Sequence, residues 1–195
     1  ERYLSSLALE NNPARDSAQL DSLFLALKRE NDPDVIISYL NSLESKRNQL
    51  AFDKDWLDLF EKLSKSTDER IRSQTFYLMY QRFRNKEGVL QVLLKVFDDE
   101  SYTIRDRAIY WLGAIIADKE KRLDFILNQI LKEEDPRLQN KWIKSRPKGL
   151  KPSALLKPQY YDHFKKTLYS KDSTLRAYSL ANCLSAHPKG EKLEG

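Results

Sequence analysis

The chain has 195 residues, 41% of them hydrophobic and 32% charged, with a net charge of +5, five Gly, seven Pro and one Cys. That balance suits a helical protein with a sizeable core and argues against a disordered chain or a turn-rich all-β fold. No apolar run approaches the roughly 20 residues of a membrane span, and a single cysteine permits no internal disulfide. With no signal peptide in view, a cytoplasmic protein is expected, and an opening at Glu1 rather than Met reads as a trimmed chain or a fragment of a longer array.

Taken in chain order, Tyr3 to Leu9, closed by Asn11-Asn12-Pro13, reads as the second helix of a truncated repeat. One pattern then recurs five times. A cap-type residue (Asp32, Asp68, Ser101, Asp135, Asp172) stands three residues before an apolar anchor (Val35, Ile71, Ile104, Leu138, Leu175), at spacings of 36, 33, 34 and 37 residues. Ahead of each anchor lies an apolar stripe: Leu23, Phe24 and Leu27; Leu59, Phe60 and Leu63; Val92, Leu93 and Val96; Ile126, Leu127 and Ile130. This spacing puts each set on one face of a first helix. In the fifth copy Phe164 and Leu168 fit after a one-residue deletion, and Lys165 breaks the stripe.

A polar turn follows each first helix, and the cap residue opens a second one. Pro33 and Pro136 take the first helical position, where proline costs least. The second helix is expected to bury its anchor and the positions four, five and eight residues on: Ile104, Ala108, Ile109 and Leu112 in the third copy, Leu175, Ser179, Leu180 and Cys183 in the fifth. The predicted repeats span 16–47, 53–84, 86–117, 119–146 and 158–187 within one domain over 1–195. A helical pair that cannot bury its stripe alone must stack on its neighbours.

The residue after the anchor is Arg72, Arg105 and Arg176 in copies two, three and five. Asp68-Glu69-Arg70-Ile71-Arg72, Ser101-Tyr102-Thr103-Ile104-Arg105 and Asp172-Ser173-Thr174-Leu175-Arg176 resemble the HEAT repeat family over roughly residues 16 to 187. The resemblance implies an all-α fold, a right-handed α-α superhelix (a HEAT-like or armadillo-type solenoid) of about five helical hairpins. It also implies that Asp68, Arg72, Arg105, Asp172 and Arg176 are structural, joining neighbouring repeats in Asp–Arg ladders. Copies one and four depart from the pattern, with Ile36 and Gln139 in the Arg slot.

Catalytic constellations are scarce, and neither a metal site nor a cofactor is expected. Cys183 and His187 stand four apart, but Cys183 fills the packing slot of Leu43, Met79 and Leu112. The basic character is local: residues 136 to 161 carry Arg137, Lys141, Lys144, Arg146, Lys148, Lys151 and Lys157 and no acid. Residues 146–158 replace a short turn with a basic loop, either a solvated linker or a binding element. On the non-core face of the second helices stand Gln74 and Tyr77, then Arg107, Tyr110 and Trp111, then Lys141 and Lys144. Trp111 is expected to fill a groove between repeats. The others, with Arg146, Lys148 and Lys151, form the candidate binding strip. The leading expectation is a non-enzymatic scaffold that presents a concave surface to a protein or acidic peptide. Alternatives are nucleic-acid binding through the basic fourth repeat and loop, and an enzyme on a HEAT-like scaffold such as a DNA glycosylase or a lyase.

Overall fold

The computed structural model describes residues 17–44 and 52–145, with single positions between 168 and 180. Among the described residues the protein is all-helical, with no strand. The helices cluster in two compact units divided between Ile104 and Arg105. The first holds α1 (Ser17–Arg29), α2 (Pro33–Glu44), α3 (Lys54–Leu63), α4 (Glu69–Leu78) and α5 (Val89–Leu94). A π-turn, Met79–Phe83, extends α4, and a 3-10 turn, Lys95–Asp98, extends α5. Helix α6 (Tyr102–Ile115) begins in the first unit and runs into the second, which also holds α7 (Lys119–Lys132) and α8 (Pro136–Lys144).

In the first unit α1 packs on α2, α3 on α4, and α2 lies along α4, so the second helices of consecutive pairs are neighbours. The predicted stripes form the core. Val35, Tyr39, Leu40 and Leu43 of α2 are buried, as are Ile71, Thr75 and Phe76 of α4 and Met79 after it. Leu59, Phe60 and Leu63 of α3 and Val92, Leu93 and Val96 near α5 face inward too. Each such side chain contributes about 1.5–3 kcal/mol through burial. The ring centroids of Phe24 and Trp56 lie 4.6 Å apart, tying α1 to α3. In the second unit α7 packs on α8; Ile126, Leu127 and Ile130 of α7 are buried, as are Leu138, Trp142 and Ile143 of α8. The fifth copy keeps its anchor, with Leu175 and Ser179 buried, but Leu180 is 50% exposed and not the core residue expected there; Cys183 lies outside the described residues.

The caps follow the chemistry of their residue types. Asp32, Asp68 and Asp135 each accept the backbone N–H two residues on, at 3.0, 2.8 and 2.8 Å. Ser101 accepts more weakly from Ile104, at 3.4 Å. Two departures from regular helix have local causes. Val96 and Phe97 are consecutive and both buried, and the 3-10 turn turns both inward. Gly88 opens α5 with φ +76°, and a Cβ there would stand 2.5 Å from a methyl of Leu57. Only glycine meets both demands.

The structure revises which acid meets the arginines. Asp68 does not pair with Arg72: it caps α4 and binds Arg70, whose Nη1 reaches Asp34 of the preceding copy at 2.8 Å. Arg72 is 6% exposed and grips Asp99 of the next copy through two hydrogen bonds, 2.9 and 3.1 Å, with Glu100 at 3.0 Å. Its Nη1 donates to the carbonyls of Ser66 and Thr67, in the turn of its own copy. Arg105 grips Glu133 in the same two-pronged way, 3.1 Å for each bond. Gln139, in the equivalent slot, donates to the turn carbonyl of Glu133 at 2.5 Å, and among the described residues its contacts stay within its own copy. The ladder acid therefore stands two residues before the cap, not at it. The side chain there also accepts the N–H of the cap residue: Glu30 from Asp32, Ser66 from Asp68, Asp99 from Ser101 and Glu133 from Asp135, at 2.8 to 3.2 Å. Arg176 donates to the carbonyl of Lys171 at 2.8 Å, and Asp172 lies outside the described residues.

Candidate partner-binding face

The non-core positions of the second helices are set by the same register that buries the stripes. In the first unit Gln74 is half-buried, and its amide donates to the carboxylate of Glu44 at 3.0 Å. Arg82, carried by the π-turn, donates twice to the carbonyl of Glu44, at 3.1 and 2.6 Å. A cation thus closes the last turn of α2, where the helix dipole favours positive charge. Tyr77 is half-buried. This part of the strip is occupied by contacts that join α2 to α4.

The second unit presents a different surface. Tyr110 is 75% exposed, whereas Trp111, the next residue, and Trp142 on α8 are 7% and 1% exposed. Trp111 is thus a packing residue. The Lys141 ammonium sits 5.8 Å from the Tyr110 ring centroid and forms an ion pair with Asp106. The charge of Lys141 is therefore met within its own unit. Arg107 and Lys144 are exposed. Arg137 is held by Asp135 at 2.7 Å, and that pairing pulls the Asp135 carboxyl down to about 2. Of the seven cations in the basic stretch, Arg137, Lys141 and Lys144 are described; Arg146, Lys148, Lys151 and Lys157 lie outside the described residues, as does the 146–158 loop.

Reading the residue types alone missed Arg122. It stands in the first turn of α7, part-buried, and its Nη1 lies 2.7 Å from where a Cβ on Gly113 would be. Its Nε is buried without a hydrogen-bond partner. The sequence signal was Gly113 itself, a glycine inside an otherwise well-formed helix, where it is costly unless something packs against it.

A cleft of about 590 Å³ opens in the first unit between the start of α3 and the loop before α5. Phe52 and Leu57 supply apolar surface, and Asp53, Lys54, Lys86 and Glu87 supply mixed charge. Asp53 is engaged as the α3 cap and Lys54 is paired with Asp58 at 2.6 Å, so this cleft offers no converging set of reactive groups. Among the described residues, no three of His, Cys, Asp and Glu are arranged to hold a metal, and no helix is long and apolar enough to cross a membrane. No protein-family model matches the chain, and no curated protein matches it.

Proposed function

We propose that this chain is a non-enzymatic binding scaffold, a HEAT-like α-solenoid that holds a protein or acidic peptide on the face formed by its second helices. The stacking is supported by contacts between equivalent regions of consecutive copies: Arg70 with Asp34, Ser101 with Glu69, Lys95 with Glu61 and Lys141 with Asp106. A stiff array of this kind binds through shape and several weak contacts rather than one deep pocket.

The single observation that carries the binding reading is Tyr110. A tyrosine 75% exposed in the middle of α6, with a lysine over its ring, has the makings of an interface anchor. The nucleic-acid alternative draws less support from the described residues, because Lys141 is already engaged by Asp106. The test is a peptide array at low ionic strength, probed with the protein and with Tyr110→Ala. Acidic peptides should be retained by the protein and lost at least fivefold by the variant. Equal retention by both proteins would refute the role of this face, and tighter, salt-sensitive binding of a single-stranded oligonucleotide would replace the peptide reading.

A further inference from the structure

A part-buried guanidinium whose Nε meets no acceptor is an exception in folded proteins, where arginines that leave water are met by carboxylates or carbonyls. Arg72 and Arg105 show the rule in this chain. Arg122 breaks it. Its Nε is sealed without an acceptor, and the group rests on Gly113, whose missing Cβ makes room for it. Gly113 is itself at the exposed surface, one turn beyond Tyr110 on the same side of α6. The chain thus places a guanidinium beside its exposed tyrosine, and its Nε is left without an acceptor although acids stand nearby along α7.

We propose that Arg122, seated on Gly113, is a carboxylate receptor that takes the side chain of an Asp or Glu in an acidic peptide bound across Tyr110. The proposal rests on the peptide-binding reading of this face. The two Nη groups of a guanidinium donate two parallel hydrogen bonds to a carboxylate, which leaves the sealed Nε out of the contact. The surroundings favour one carboxylate over a run of phosphates. Asp118, Glu120 and Asp124 flank Arg122 along α7, and Asp106 stands on the Tyr110 helix. A polyanion tracking this surface would meet those acids, whereas a single side chain needs only the fork.

The test uses fluorescence polarisation with a fluorescein-labelled Gly-Ser octapeptide that carries a single central Glu, and the full chain at low ionic strength. Arg122→Gln should lose at least fivefold in affinity while its Tm stays unchanged or rises, because an unmet charge is removed. Gly113→Ala, which pushes the guanidinium off its seat, should lose at least threefold. Lys119→Ala, at the exposed start of the same helix, should stay within twofold. An Arg122→Gln affinity equal to that of the parent protein overturns the proposal, and Tyr110→Ala in the same assay then decides separately whether the peptide reading stands. A Tm drop of several degrees in Arg122→Gln shows a structural arginine and overturns it as well. So does stronger, Arg122-dependent binding of a 20-nucleotide oligothymidylate, which makes the group a phosphate receptor.

Discussion

Replacing Arg72 with Met tests the ladder where it is most buried. Arg72 is 6% exposed, and the side chain of its partner Asp99 is 5% exposed. The substitution keeps the apolar stem and removes five donors. It removes both guanidinium bonds from the Asp99 carboxylate, and it strips the carbonyls of Ser66 and Thr67 of a donor. Breaking a buried pair by deleting one partner costs about 3–5 kcal/mol, because the remaining charge is stranded. At about 2–4 °C per kcal/mol for a protein of this size, Tm should fall by about 6–20 °C. Arg70 supplies the control. It stands two residues earlier on the same helix and makes ion pairs as short, 2.8 Å to Asp34 and to Asp68, but its side chain is 60% exposed. Exposed pairs of this kind are screened by water and salt, so Arg70→Met should leave Tm within error. Thermal melts followed by far-ultraviolet circular dichroism compare the two. Equal losses would show that burial does not set the strength of the ladder and would refute the argument.

Ile109→Asp places a carboxylate at a site 7% exposed and should cost several kcal/mol; an unchanged urea midpoint would contradict the register of α6. Gly88→Ala forces a left-handed φ of +76° on an L side chain and drives its Cβ onto Leu57, for a loss of about 1–3 kcal/mol, which equilibrium unfolding in urea measures. The Asp135 carboxyl, held by Arg137, is lowered from the ordinary 3.8 to about 2. Because the folded value lies below the unfolded one, this pairing stabilises fully above about pH 5 and is lost as pH falls through 4 toward 2. Asp135→Asn keeps a competent cap but removes the charge, so the acid limb of a stability–pH curve should become shallower; an identical limb would show that the pair does not contribute.

The core was legible in the sequence because helical burial has a period, and each stripe recurs at nearly fixed distance from a cap. Leu23 and Leu27, then Leu59, Phe60 and Leu63, then Ile104, Ala108, Ile109 and Leu112 could be placed by counting. The ladder was only half legible. Arg72 and Arg105 stood out as repeated arginines, but their acids are Asp99 and Glu133, which differ in type and sit in acid-rich turns beside more conspicuous cap residues. Only geometry separates the acid that caps from the acid that bridges. The binding face was the least legible. Tyr110 and Trp111 are adjacent aromatics, and their opposite fates, exposed and buried, depend on which side of α6 its neighbours cover. Lys141 read as a basic contribution to that face, yet its charge is met by Asp106, 35 residues earlier.

Once the bridging slot is known, a rule written across the copies becomes visible. The slot six residues before the arginine position is Ser66 in copy two, Asp99 in copy three, Glu133 in copy four and Ser170 in copy five. The arginine position of the preceding copy reads Ile36, Arg72, Arg105 and Gln139 in the same order. An acid stands where an arginine reaches for it, and a serine stands where none does. Each copy has therefore been matched to its neighbour rather than to a consensus, as expected if an unmet buried charge is the costliest error in such a stack. The match can be transplanted. Ile36 is 5% exposed, so Ile36→Arg alone should bury a stranded cation and cost about 3–5 kcal/mol. Adding Ser66→Asp should recover part of that loss, and a double-mutant cycle in urea isolates the coupling. A coupling energy of zero would mean that the two slots do not face each other in copies one and two, and the rule would then describe composition rather than contact.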